Sequence, residues 1–480
     1  MQAIHHQRTS QVIAAAWRTP AAVNYSWRQL AYRAGITDMQ ERQGTGFEKL
    51  GLRLHYGLPG EFGCQDSAAI IVVPCREESW DLSSAGAVKT IQWIPIRDTL
   101  PRGERLPIME KVPVLFWGGG FENGGKPFVE RREDGAIVFY ADILAAVFFM
   151  LSRWEETSIS VRDAHGRFPA AESFAWKQKF LDRPVVDEYA VILQSWIKTI
   201  LPGWQPIKRE YSVKLSHDID HVRRFPSFYK GGLSLAADIL KRRDVSRALH
   251  TMRIMKNLRD DPLYNGIFQL ADWSEENGLI SAFYFMGAVC KKSGAGYDPC
   301  ETFIENCIKM LLERGHEIGF HPGYHTQNDP IRFRREKKQL ERAAGKGQMG
   351  GRQHFLRFRI PETWRLWEQE GLSYDSTLGY AEHEGFRCGT CHPFRPFDME
   401  QQRELEITEI PLIVMDATLK QYRALTPDEG RDRILFLAGR CRAVGGVFTL
   451  LWHNSSLQDD WKPWAAMCRE ILPLLAAMRG

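Results

Sequence analysis

The chain has 480 residues, 44% of them hydrophobic and 25% charged, with a net charge of +4. That composition supports a large core and two or three domains, and the charge is too slight to make nucleic acid a partner. The longest purely apolar run, residues 143–151, falls well short of the roughly 20 residues that cross a bilayer, so no transmembrane segment is expected. No charged, apolar, small-residue leader opens the chain, and the expected location is cytoplasmic. Nine irregularly spaced cysteines, including the lone Cys388-Gly-Thr-Cys391, read as reduced thiols rather than a disulfide framework.

Taken in chain order, the first half is irregular. Residues 69–73 read as a buried strand and 139–154 as a buried helix. The glycines at 118–120 and 124–125 read as a turn, because no phosphate-loop signature follows them. The stretch 201–206, rich in Pro, Gly and Trp, reads as a linker. It separates an N-terminal α/β accessory domain of unassigned role, 1–205, from a second domain, 206–480. In the second domain, strand-like runs at 211–216, 279–286, 317–320, 407–415 and 446–452 alternate with helical patterns. These fall at 268–277, 302–314, 330–344, 361–369, 427–443 and 461–478. The alternation predicts an α/β fold of βα units around a parallel sheet or barrel. Residues 222–265 interrupt it as a basic insertion with ten Lys/Arg against four Asp. One reading is a pair of solvated amphipathic helices; a sharper one is an electropositive flap suited to a phosphate-bearing substrate.

Chemistry gathers at strand ends. His321 and His325 lie four apart after a short apolar run, and imidazole suits zinc at neutral pH. A catalytic metal takes three protein ligands and leaves a position open, so a third is needed. Asp220, closing Val213-Lys-Leu-Ser-His-Asp-Ile-Asp220, is the natural candidate. The expected set is therefore Asp220, His321 and His325 around one divalent ion, zinc being the expected metal. Asp218 shares a strand face with Asp220 and is placed as general base, with Arg352 as the cation that pairs with it and keeps it ionised. His453, at the end of another apolar run, is the expected general acid, with Asp375 as the carboxylate that raises its pKa. His217 turns to the opposite strand face, and His221 lines the pocket without being a ligand. The loop 385–398 mixes aromatics with Arg387, His392 and Arg395, and these, with Tyr324 and His354, are the expected substrate contacts, an aromatic-rich packed loop being the equally plain alternative.

The order of five pieces resembles the polysaccharide deacetylase family, carbohydrate esterase family 4. The pieces are Ser216-His-Asp-Ile-Asp220, His321-Pro-Gly-Tyr-His325, Arg352-Gln-His-Phe355, Asp375-Ser-Thr-Leu378 and Leu450-Leu-Trp-His453. The resemblance covers about 206–480 and implies a distorted (β/α)7 barrel, a zinc ion, and removal of an N- or O-acetyl group from a sugar. The whole chain looks like the family's two-domain members, which implies a role in surface-glycan biosynthesis. Four departures stand out. Ile219 separates the aspartates, Pro322 replaces a Ser/Thr, the arginine motif lacks Arg-x-Pro-Tyr, and the aspartate motif lacks its tryptophan. Two other readings compete: a glycosyltransferase using Asp218-Ile219-Asp220 as a D-x-D metal site, and a non-catalytic glycan-binding barrel. The sequence leaves the oligomeric state and the identity of the sugar open.

Overall fold

A computed structural model describes residues 17–36, 40–41, 47–49, 51–61, 68–80, 91–106, 110–119, 125–225, 228–289, 295–345 and 349–479. The glycine-rich turn expected at 118–125 lies partly outside them, at 120–124.

Four helices start in one way. Thr19, Asp261, Asp329 and Thr426 each accept a backbone N–H of the first turn through the side chain, and a proline follows at the next position. The cap satisfies a donor that the helix cannot, and the proline loses nothing because its own N–H would have had no partner. Thr426 and Glu429 complete a reciprocal capping box. These signals are local, which is why the helical patterns at 330–344 and 427–443 reappear as helices with those bounds.

In the first half, Leu52–Tyr56, Ala69–Val72 and Ile137–Phe139 run parallel at the centre of a sheet. Antiparallel strands flank them on either side. The helix Ile143–Leu151 buries all nine of its residues; it starts later than the pattern suggested because Asp142 caps it through Ala145.

The second half is an α/β arrangement around five parallel strands: β1 (Ser212–Ile219), β2 (Ser281–Met286), β3 (Glu317–His321), β4 (Val414–Met415) and β5 (Val447–Leu451), in the order β3-β2-β1-β5-β4. Beyond β3 the pairing continues as single parallel bridges, Phe320 to Gly351 and Gly351 to Asp375. Tyr374–Asp375 then pairs in parallel with Thr408–Glu409. Gly351 has to be glycine for this, since a Cβ there would lie 1.9 Å from the Phe320 carbonyl oxygen. The run read as one strand over 407–415 is thus split between two neighbours.

The insertion folds as a helical hairpin, α1 (Phe228–Leu240) and α2 (Val245–Lys256). Among the described residues no helix is long and apolar enough to cross a membrane. One continuous hydrophobic cluster runs from Trp17 to Leu475. A buried ion pair, Arg387 to Glu156 at 2.6 Å, joins the two halves through it, and Asp187, itself paired with Arg33, accepts from Thr390 Oγ1 across the same boundary at 2.6 Å. In the stretch read as a linker, Leu201 and Trp204 are half-buried against the same cluster, while the residues between them are exposed.

Candidate metal centre

Three of the strand-end residues singled out above emerge together at the C-terminal edge of the parallel sheet, where side chains of successive βα units converge. Asp220 follows β1, His321 closes β3 and His453 follows β5. Asp220, His321 and His354 each bring one ligand atom into a group whose members all lie within 4.8 Å. His321 Nε2 stands 3.2 Å from Asp220 Oδ1, and His354 Nε2 stands 3.3 Å from the same oxygen. Tetrahedral zinc with bonds of about 2.0–2.1 Å separates its ligand atoms by about 3.3–3.4 Å, so these spacings suit one small ion.

The hydrogen bonding of the rings points the same way. His321 Nδ1–H donates to the Arg352 carbonyl at 2.7 Å, which leaves the lone pair of a neutral ring on Nε2, facing Asp220. His321 Nε2 and Asp220 Oδ1 are both buried without a hydrogen-bond partner. Two acceptors at this distance need a cation or a proton between them. Burial holds His354 near pKa 4, against the pull of Asp220, so that ring offers a lone pair rather than a charge. Asp220 is drawn far below the usual carboxylate range by the histidines around it, which outweigh its desolvation. Burial lowers the pKa of His321, but Asp218 and Asp220 outweigh it and raise the value, so the space between His321 and Asp220 takes positive charge, and a divalent cation would supply it in place of a proton.

His354 reaches the group through an unusual turn. Phe355 and Leu356, the next two residues, both have left-handed backbone (φ 61° and 53°), which costs energy for side chains of this size. The turn brings His354 and His321 to 5.1 Å between ring centroids. His325 was the expected third ligand and is not in the group. Pro322 and Gly323 take the chain off the strand, and His325 opens a short 3-10 turn on the exposed surface. The i, i+4 spacing therefore does not aim both rings into one pocket here.

Two polar pairs flank the group. Arg352, fully buried, donates through Nη1 to Asp218 Oδ1 at 2.9 Å. Its remaining donors go to Ser216 Oγ, Ser376 Oγ and the Ser376 carbonyl. On the other side His453 Nε2 lies 3.9 Å from Asp220 Oδ2, and its Nδ1 lies 2.8 Å from Asp416 Oδ1. Burial lowers the pKa of His453, but Asp416, Asp220 and Asp218 overcome this and lift it to about 10. Asp220 and His453 are the open side of the site, with side chains 21% and 16% exposed.

Asp375, expected beside His453, is elsewhere. It accepts from Thr377 Oγ1 and Thr377 N–H and forms a buried carboxyl pair with Glu409. Desolvation raises the pKa of both acids, and their mutual repulsion raises Glu409 further, so one proton is held between them. Asp416 takes the place beside His453. Its signal was available, since it directly follows the apolar run 407–415 as a strand-end carboxylate.

The expected substrate contacts are mostly structural. Arg387 is buried and donates to both oxygens of Glu156 and to the Gly379 carbonyl. His392 is buried with Nε2 at 3.0 Å from the Val444 carbonyl, and burial lowers its pKa. Arg395 lies on the surface, paired with Glu406 at 3.3 Å. An aromatic, arginine-rich loop can pack as readily as bind, and here the first half of the chain covers it. Tyr324 stays near the site, with its hydroxyl 3.2 Å from His165 Nδ1. His165 belongs to a first-half loop that sequence reasoning passed over. Arg357 donates to its carbonyl at 2.7 Å, and Arg167 to the Phe355 carbonyl at 3.2 Å. That loop therefore braces the turn carrying His354. His217 faces away from the centre, with its ring nitrogens at the Trp452 carbonyl and Ser281 Oγ.

Residues 88–202 match a family of unknown function, DUF7033. No curated protein matches the chain. Among solved structures, one crystal structure from Mycobacterium smegmatis, described provisionally as a polysaccharide deacetylase, is similar at 20% identity. The match covers 57% of this chain and 87% of that one, with a TM-score of 0.38. At that score the likeness does not establish a shared fold.

Proposed function

We propose that the protein is a metal-dependent hydrolase that removes an acetyl group from an N- or O-acetylated sugar, acting in glycan biosynthesis in the cytoplasm. The observation that carries this reading is the convergence of three ligand atoms from Asp220, His321 and His354 between a carboxylate–arginine pair and a histidine–carboxylate pair. A hydrolase needs a cation site, a base and an acid within a few ångströms, and this edge of the sheet has candidates for each. The substrate class rests on the resemblance of the five sequence motifs to polysaccharide deacetylases.

In this reading Asp220, His321 and His354 hold one divalent ion, zinc by the character of the donor set. When bound, such an ion polarises a carbonyl oxygen and acidifies water. Asp218 is the base, taking the proton of the attacking water through the oxygen that Arg352 leaves open. Arg352 fixes the angle of that carboxylate and balances its charge. His453 gives a proton to the departing amine or alcohol, and Asp416 orients its ring with the acidic N–H on Nε2, toward the site. The closed seven-stranded barrel belongs to the same proposal. In its support, residues 408–415 pair at their start with Tyr374–Asp375 and at their end with β5, as a closing strand would. Residues 206–480 are then the catalytic part, and 1–205 an accessory part that braces the His354 turn.

The glycosyltransferase reading requires Asp218 and Asp220 to share a cation, and the engagement of Asp218 by Arg352 weighs against it. An acetate-release assay over N-acetylated sugars, with and without a chelator, tests the proposal. Acetate release abolished by the chelator and restored by zinc supports it. Acetate release unaffected by complete metal removal would overturn it.

A further inference from the structure

We propose that the hairpin α1–α2 docks the protein on an anionic lipid bilayer. The hairpin carries its apolar faces outward. Along α1, Tyr229, Leu233, Ala236 and Leu240 recur at helical spacing and are exposed. Along α2, Val245, Leu249 and Met252 do the same, and the stripe ends one turn later in Lys256. Of the twenty-one large apolar side chains exposed among the described residues, eight fall within residues 228–252. Scattered exposure of this kind is ordinary, but a concentration on two neighbouring helices marks a surface that something covers.

The residues buried on the two helices are Gly231, Asp238, Ala248, Thr251 and Ile254, of which Ile254 alone is large and apolar. Gly231 packs against Met255 so closely that a Cβ would lie 2.8 Å from its sulfur. Asp238 is buried, accepts from Thr251 Oγ1 at 2.7 Å, and pairs with Arg242 and Arg247. A water-soluble helix pair would turn Leu233, Leu240 and Leu249 inward, whereas small and hydroxyl-bearing contacts between helices with apolar residues outside suit a lipid environment.

Charge identifies the occupant. Residues 222–265 hold ten Lys/Arg and four Asp. Two of those aspartates are engaged within the hairpin, Asp238 as above and Asp244 as the cap of α2. Lys241 and Arg243 at its tip, and Arg253 and Lys256 on α2, are exposed. A second copy would set like charges against each other. Phosphate headgroups answer the cations while acyl chains take the stripes, the pattern of a helix lying in a membrane interface. With 13 and 12 residues the helices are about 20 Å long, too short to span a bilayer. Only seven residues separate Asp220 from Phe228, so docking would hold the metal centre within about 30 Å of the lipid surface. The inference stands on the hairpin alone and survives failure of the hydrolase reading.

The test is sedimentation of the full-length protein with vesicles of phosphatidylcholine alone or with phosphatidylglycerol added. Wild type should partition to the anionic vesicles about ten-fold more strongly, and added salt should weaken it. Leu233→Ser/Leu240→Ser/Leu249→Ser and, separately, Lys241→Gln/Arg243→Gln should each reduce partitioning by roughly ten-fold, with unchanged thermal melting. Wild type that ignores anionic vesicles overturns the proposal, as does triple-serine protein that binds them equally. Concentration-dependent self-association of wild type, without vesicle binding and abolished by the serine substitutions, would overturn it in favour of a contact between copies.

Discussion

His453 and Asp416 form a two-pronged pair: one carboxylate oxygen lies 2.8 Å from the ring Nδ1, and the other accepts the His453 backbone N–H at 2.8 Å. The doubled contact fixes both the ring and the chain at the end of β5. The carboxylate itself is kept below its usual range, chiefly because the charge on His453 outweighs the cost of burial. An imidazolium held in this way can deliver a proton from Nε2 and take it back.

The first prediction follows from that pair. With His453 raised to about 10, the protonated acid is present below that value and is lost as pH rises through it. A bound cation offsets the contributions of Asp220 and Asp218, but not that of Asp416. Asp416→Asn should therefore move the alkaline limb of kcat/KM for an amide substrate to lower pH. It should also reduce kcat on amides by about a hundred-fold, while sparing activated esters whose leaving groups need no proton. An unmoved alkaline limb would count against His453 as the acid.

Metal content separates His354 from His325. Elemental analysis should find near-stoichiometric metal in wild type and His325→Ala, and about ten-fold less in His321→Ala and His354→Ala. Metal lost in His325→Ala and kept in His354→Ala would mean that the 321–325 turn rearranges on binding.

Buried charge between the halves predicts acid sensitivity. Glu156 is held at about 2 because Arg387 and Arg153 outweigh its desolvation. A depressed carboxylate contributes stability that is present above its unfolded value near 4.5 and is lost as pH falls toward 2. The contribution is on the order of 3 kcal/mol. Glu155 is shifted upward by burial and works in the opposite sense, so the informative comparison is wild type against Glu156→Gln. Chemical denaturation from neutral pH to about pH 3 should show their stability difference shrinking. A constant gap across that range would refute the linkage.

Gly351→Ala should disturb the centre without touching a charged group. The added Cβ would meet the Phe320 carbonyl oxygen at 1.9 Å, forcing apart the backbone that carries His321 and Arg352. Loss of about 3 kcal/mol of stability is expected, with weaker metal retention in the folded fraction. Wild-type melting and metal content would show that this edge yields more easily than its packing implies.

In the second half of the chain the sequence by itself determined where most strands and helices fall, and which polar residues sit at strand ends. Those features are local. Period-two alternation put Asp218 and Asp220 on one face and His217 on the other, and caps such as Asp329-Pro330 and Thr426-Pro427 marked helix starts through bonds within one turn. Only the tertiary structure decided which strand-end residues meet. His325 and His354 were equally eligible by type. The choice between them rests on the path of the chain after Pro322-Gly323 and on the left-handed turn at Phe355, braced by the first half at His165 and Arg167. Asp416 and Asp375 both stand at strand ends, but one faces His453 and the other Glu409, because residues 408–415 divide their pairing between two neighbours. Arg387 reads as a surface ligand until Glu156, 231 residues earlier, is folded against it. Pairings across such separations depend on packing that no local pattern records.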